Sequence, residues 1–515
     1  MALLRSIVTV GGYTLISRFL GFARDILIAA ILGAGPIADA FFVAFKLPNF
    51  FRRLFAEGAF NAAFVPLFSG RLASEGLVAA QIFATSVLSA MVAFLFVFIT
   101  LLQIAMPILM YGFAPGFADD PEKFQLAIDL TRITIPYLLF ISLVSLLGSV
   151  LNSLGRFAAA AATPIILNIV LIGALLGATP FLPTAGHALA WGVAVAGAAQ
   201  LVWLIIACHR AGMALLLHRP RLSPGVRRVL RLMLPGAVGE GVVQINLLMD
   251  IVIASLLPTG AISYLYYADR VNQLPLGVVG IAIGTALLPL LSRQLREGAL
   301  EDARNSMNRG MEMALLLTVP AAAALLVIAG PIITVLFERG EFNAAAATAT
   351  AQALMAYAIG LPAYVLIKVL GPGFFAREDT ITPAKIAIVC VVVNVILSLT
   401  LIHYLAHVGI ALATAISAWL NAFWLASTLY KRGHHRFDDR LRSRIVRILF
   451  ASAAMAAGLW LALVAIGSAF EAAIPTKITA IVALVFGGLG LYAVLAIMTG
   501  AVALSDLKRL LSRKG

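Results

Sequence analysis

Fourteen stretches of roughly 20 to 30 residues, each apolar enough to cross a bilayer, leave this chain few ways to fold. They run over residues 6–33, 36–66, 81–113, 125–152, 157–179, 184–208, 228–257, 262–291, 306–337, 343–374, 381–403, 407–430, 444–467 and 474–503. In hydrocarbon every backbone N–H and C=O must find a partner inside the protein, and a segment of this length does so as a helix. The expected fold class is therefore an all-α polytopic membrane protein with 14 transmembrane helices. Composition agrees: 12% of the residues are charged, against about a quarter in soluble domains. The first stretch is charged, too long for a signal sequence and followed by no small-residue cleavage site, so it is expected to be a retained span.

The net charge of +14 raises the question of a nucleic-acid partner. Its distribution answers it. With both termini on the cytoplasmic side, most Lys and Arg outside the span interiors fall in cytoplasmic loops and tails. Only Lys123 and Arg339 fall in the opposite loops, with Lys477 at the outer end of the last span. The basic segments 219–231 and 431–447 thus orient the protein, and no nucleic acid is expected.

An internal duplication sets the expected domain plan. Asp25-Ile-Leu-Ile-Ala returns as Asp250-Ile-Val-Ile-Ala, Pro66-Leu-Phe-Ser as Pro289-Leu-Leu-Ser, Pro107 as Pro331 and Pro136 as Pro362. An offset near 225 residues covers six spans. Six is even, so the two halves keep the same orientation and a pseudo-twofold axis along the membrane normal relates them. The plan is an N-lobe at 1–208, a cytoplasmic linker with a short interfacial helix at 209–227, a C-lobe at 228–430, a basic linker at 431–447, and two further helices with a basic tail at 444–515.

The first two spans carry Arg18, Arg24, Asp25, Arg52, Arg53 and Glu57. A charge at the bilayer centre costs about 2.5–3.5 kcal/mol on insertion scales, so such residues face a protein interior or a wet cavity. Four arginines against two acids leave the region cationic. Guanidinium groups offer planar forks suited to phosphate oxygens, which favours a phosphate-bearing guest. On the second span Lys46, Asn49, Arg53 and Glu57 form one stripe, and Pro48 is expected to interrupt the helix. Across the duplication Gly277 stands where the Arg52–Arg53 pair has its counterpart. The first half therefore reads as the main anion-binding wall, with Arg270 as a partner. Closed ion pairs that merely lock helices together are the plainer reading for Arg24 with Asp25 and for Arg53 with Glu57.

Other chemistry is thin. There is no phosphate-binding GxxxxGK[ST] loop, no HExxH and no GxSxG. The adjacent acids Asp119-Asp120 and Asp438-Asp439 read as solvated loops. Two cysteines within or at the ends of spans give neither a disulfide framework nor a metal site. Neither an enzyme nor a cofactor is expected.

The run Ser17-Arg18-Phe19-Leu20-Gly21-Phe22-Ala23-Arg24-Asp25, followed by Ala38-Asp39-Ala40-Phe41, Lys46-Leu47-Pro48-Asn49 and Arg52-Arg53-Leu54-Phe55-Ala56-Glu57-Gly58-Ala59, resembles the MurJ (MviN-type) lipid II flippases of the MOP exporter superfamily. The resemblance extends over the whole chain. It implies export of lipid II, the undecaprenyl-pyrophosphate-linked peptidoglycan precursor, from the cytoplasmic to the periplasmic leaflet of the bacterial inner membrane by alternating access. It also implies substrate-binding roles for Ser17, Arg18, Arg24, Asp25, Asp39, Asn49, Arg52, Arg53, Glu57 and Arg270, and a groove for the lipid tail on the last two helices. Some members bind sodium. Asp250, Asn394 and Thr414 could supply such ligands, but Ser398 stands where a second carboxylate is expected and no sodium site is assigned. The expected partners are lipid II, the phospholipid bilayer and, as a further candidate, proteins of cell-wall synthesis. Two alternatives stand beside this reading. A flippase for another polyprenyl-linked saccharide shares the same physics, and a multidrug antiporter of the same superfamily would want an acidic cavity instead.

Overall fold

A computed structural model describes residues 2–53 and 58–502. The helices are, in chain order, α1 (Ala2–Leu32), α2 (Pro36–Arg52), α3 (Gly58–Ser74), α4 (Gly76–Phe113), α5 (Pro121–Thr134), α6 (Tyr137–Ser153), α7 (Phe157–Gly173), α8 (Ala185–Arg210), α9 (Pro224–Ser255), α10 (Ala261–Arg296), α11 (Leu300–Phe337), α12 (Ala344–Phe375), α13 (Ile381–Lys431), α14 (Asp439–Ile466) and α15 (Ile474–Met498). Among the described residues nine helical stretches are long and apolar enough to cross a membrane. One of them, α13, holds two spans, because its backbone breaks at Ala406 (φ 47°, ψ −131°). The remaining spans are α1, the α2–α3 pair, α9 and α10, which carry the ionisable residues noted above. The architecture is the all-helical, fourteen-span one expected.

The chain forms two compact units, Met1–Ser263 with Arg339–Phe342, and Tyr264–Glu338 with Asn343–Gly515. In the first, α1 packs on α7, α2 on α5, α3 on α9, and both α6 and α7 on α8. The 339–342 loop closes onto the end of α1, where the Glu341 N–H donates to Ala30 O at 2.9 Å. Gly340 makes that approach possible: its φ of +57° is left-handed, and a Cβ there would collide with Ala30 O.

Pro48 does not break α2, contrary to expectation; the helix runs through it to Arg52. A proline inside a helix leaves the carbonyl four residues back without its N–H. That carbonyl is Ala44 O, and Thr134 Oγ1 at the end of α5 donates to it at 2.8 Å. A hydroxyl from the neighbouring helix replaces the missing donor, so the helix continues. At Pro164 in α7 the replacement comes from the same helix, with Thr163 Oγ1 donating to Ala160 O at 2.8 Å.

The short interfacial helix expected within the 209–227 linker is absent. Residues 213–223 run without helix and are held to α4, where Gln81 Nε2 donates to Ala214 O and the His218 N–H donates to Ser89 Oγ. Gly212 ends α8 with a φ of +77°, and Pro220 and Pro224 leave too few residues to nucleate another helix.

In the second unit α12 lies between α11 and α13, and α14 and α15 pack on α11. Leu291, Met307, Val369, Phe374 and Leu429 form part of its core. The outer faces of α14 and α15 expose Phe450, Trp460, Leu461, Phe486 and Leu489, an apolar surface suited to lipid.

Candidate anion-binding site

On α1, Arg24 and Asp25 are both buried. The Arg24 guanidinium donates to Asp25 Oδ1 through Nη2 at 2.7 Å and through Nε at 3.1 Å. Its Nη1 donates to Asn168 Oδ1 on α7 at 3.0 Å, and Asn168 Nδ2 in turn donates to Ser17 O at 3.0 Å. Asn168 therefore orients the arginine that Asp25 neutralises. Ser17 takes part through its carbonyl, and Arg18, one position on, is exposed.

On α2, Asn49 is anchored by its own helix. Its Nδ2 donates to Phe45 O at 2.8 Å, and its Oδ1 accepts from Arg52 Nε at 3.1 Å. The amide thus fixes the Arg52 fork in place. Arg53 is exposed at the helix end. Glu57 lies outside the described residues.

Asp39 belongs to a different arrangement. It is 1% exposed and its two oxygens are taken up. Oδ1 accepts from the Ser263 N–H at 3.0 Å and from Ser263 Oγ at 2.7 Å. Oδ2 accepts from the Gly260 N–H at 2.7 Å and from Lys123 Nζ at 3.0 Å. Gly260 and Ser263 open α10, so the carboxylate caps that helix where a negative charge is favoured. Lys123 is itself buried, over the Phe117 ring at 4.2 Å, and also donates to Thr259 Oγ1.

In the second unit, Arg270 on α10 lies over the Tyr266 ring, 4.7 Å from its centre, and its Nη2 donates to Tyr266 Oη at 3.0 Å. Neighbouring Asp269 accepts from Gln273 Nε2. Of the sodium candidates, Asp250 is half-buried on α9, Asn394 is buried, and the Thr414 hydroxyl donates to Ile410 O. No three His, Cys, Asp or Glu side chains cluster as a metal site among the described residues.

Two residues of this site escape sequence reasoning. Asn168 and Lys123 are far along the chain from Arg24 and Asp39, and neither belongs to a motif. Asn168, the one amide side chain in an α7 that is apolar apart from it and Thr163, is the one signal available.

A fourteen-span helical fold with Arg24 buried on its first span and Arg52 half-buried on its second defines a multi-pass membrane protein that carries cationic side chains within its spans. A family model described as lipid II flippase MurJ matches residues 28–497. A probable lipid II flippase MurJ of Rhizobium meliloti (strain 1021) is 46% identical over 519 residues, covering 100% of this chain and 97% of the relative. A solved structure of lipid II flippase MurJ in an inward closed conformation is 26% identical with a TM-score of 0.79, covering 95% of this chain and 98% of that one. The chain belongs to the MurJ lipid II flippase family. An inward-facing multidrug resistance MATE family transporter of the MOP superfamily shares the fold alone, with 15% identity, a TM-score of 0.65, and 83% and 98% of the two chains covered.

Proposed function

We propose that the protein exports lipid II from the cytoplasmic to the periplasmic leaflet of the bacterial inner membrane, with both termini cytoplasmic. One observation carries this reading: in a chain of this family, Arg18, Arg24, Arg52 and Arg53 stand on or beside α1 and α2 with two acids, Asp25 and Asp39, among the described residues. Asp25 is tied to Arg24 and Asp39 to Lys123, while Arg18 and Arg53 are exposed and Arg52 is only partly buried.

In the proposed mechanism Arg18, Arg24, Arg52 and Arg53 hold the pyrophosphate, Asn49 and Asn168 aim the arginines, and Arg270 is a further candidate ligand. Glu57 and Asp25 compete with the substrate for the same guanidinium groups. A site that binds through ionic forks needs such competitors to let go, and the Arg24–Asp25 pair is the resting state to which the site returns. Asp39 positions the start of α10 instead of meeting substrate. The lobes at 1–208 and 228–430, followed by the two helices of 444–515, expose the site alternately to the two sides, and no bond of the substrate is broken. A cytoplasm-negative potential favours outward movement of an anion by about 2.3 kcal/mol per charge per 100 mV, so export needs no nucleotide. A cationic drug would find the wrong sign of charge here.

Reconstituted proteoliposomes test this. Lipid II should reach the far leaflet in proportion to an imposed potential. Equal rates at zero potential would remove the coupling, and movement of another polyprenyl-linked saccharide but not of lipid II would remove the substrate assignment.

A further inference from the structure

The first unit contains a second polar feature that adjoins the anion site. A cavity of about 480 Å³ lies among α2, α3, α6, α7 and α8, within the size range of small-ligand pockets. Arg52 and Asn49 form one end of it. The rest of its polar lining includes Asn61, Ser149, Thr163 and Gln200, with no acidic residue and no second cation.

Gln200 is the informative side chain. It is 2% exposed; its Nε2 donates to Thr163 O at 2.7 Å, but its Oε1 is buried without a hydrogen-bond partner. A buried acceptor left unsatisfied costs about 1–3 kcal/mol, so such a group is expected to serve a guest. Asn61 is held from one side only: its Oδ1 accepts from Ser149 Oγ at 2.7 Å, which leaves its amide N–H groups to donate into the cavity. The pocket thus offers an acceptor and a donor, both from neutral amides, next to a guanidinium.

That combination selects a class of ligand. An anion would find one cation, and a peptide carboxylate or amine would find no counter-charge beyond Arg52. A ring of hydroxyl and acetamido groups can both donate and accept, and it matches amide side chains. We propose that this cavity receives the sugar attached directly to the pyrophosphate, with Gln200 and Asn61 hydrogen-bonding its hydroxyl or acetamido groups while Arg52 holds the adjoining phosphate. The inference rests on the lipid II reading and deepens it, because it makes the protein select for a glycosylated pyrophosphate over a bare one. Arg52 stands at the junction of the two sites, and Asn49 sets its angle.

The test compares two probes on the purified full-length protein: lipid II, and undecaprenyl pyrophosphate, which has the same anion and tail but no sugar. Wild type should bind lipid II more tightly. Gln200→Met keeps the side-chain length but removes the acceptor. It should lower lipid II affinity about tenfold, the scale of losing one or two hydrogen bonds, and leave undecaprenyl pyrophosphate binding unchanged. Asn61→Leu should do the same. Unchanged affinity for the bare pyrophosphate also shows that the variants are folded. Arg52→Ala should weaken both probes. Equal binding of the two probes by wild type, or a parallel loss or no loss of both in Gln200→Met, overturns the sugar pocket while leaving the anion site standing. Failure of wild type to bind either probe saturably instead brings down the flippase reading on which the pocket depends.

Discussion

Each unit contains a cluster of arginines, and the two have different chemistry. In the second unit Arg309, Arg440 and Arg444 converge on Glu312, and Arg309 also meets Asp438. Glu312 is buried on α11, while Arg440, Arg444 and Asp438 belong to the start of α14 and its cap. The acids sit at the centre of that cluster and the arginines converge on them, so it joins α14 to α11. In the first unit the arginines are spread along α1 and α2, and the neighbouring acids are committed: Asp25 to Arg24, Asp39 to Lys123. Arginine content alone therefore does not mark a ligand site. What separates the two clusters is where the carboxylates are and what already holds them.

Removing the centre of the fastener gives the largest effect on stability. Glu312→Ala leaves three guanidinium groups facing one another, which should cost about 3 kcal/mol, read as a fall in melting temperature, while undecaprenyl pyrophosphate binding persists. Asp39→Asn comes next. It keeps the shape but leaves Lys123 buried without its counter-ion, and about 2 kcal/mol of the first unit's stability should go with it; a melt of the purified variant measures this. Thr134→Val takes away the hydroxyl that satisfies Ala44 O behind Pro48. A loss of about 1 kcal/mol is expected, and no loss would mean that the carbonyl has another partner.

The smallest effect near neutral pH involves His435, which follows α13. It is fully buried, neither ring nitrogen is hydrogen-bonded, and burial, assisted by Arg304, pushes its pKa down to about 4 against the pull of Asp438. The folded protein therefore holds the imidazole neutral, whereas the unfolded chain protonates it below about 6.5. Its contribution is complete above pH 6.5 and is lost as the pH falls toward 4. The acid side of the melting profile should flatten in His435→Phe.

The fourteen spans are legible in sequence because a membrane allows so little else: long apolar runs become helices, and charged ones among them stand out. The arginines of α1 and α2 are legible for the same reason. What stays hidden is every partner supplied from elsewhere in the chain. Pro48 reads as a break, because nothing in the local sequence says that Thr134 will stand beside Ala44. Asp39 reads as a site residue until Lys123, Gly260 and Ser263 are brought to it. The 209–227 linker reads as holding a short helix because its sequence is seen without α4, whose Gln81 and Ser89 hold it. Gln200 shows no sign of a role in sequence, since an orphaned acceptor is a property of packing alone.

In the proposed mechanism the α1–α2 arginines carry an anionic, lipid-linked precursor across the membrane. Arg18→Ala tests it most directly, because an exposed side chain should change stability by no more than about 0.5 kcal/mol. In cells whose only copy is this variant, the leaflet distribution of lipid II can be read with an externally added enzyme that cleaves it. The externally cleavable pool should disappear and lipid II should accumulate in the inner leaflet while the variant protein remains at normal levels. An outer pool equal to that of wild type, with no second flippase present, would contradict it.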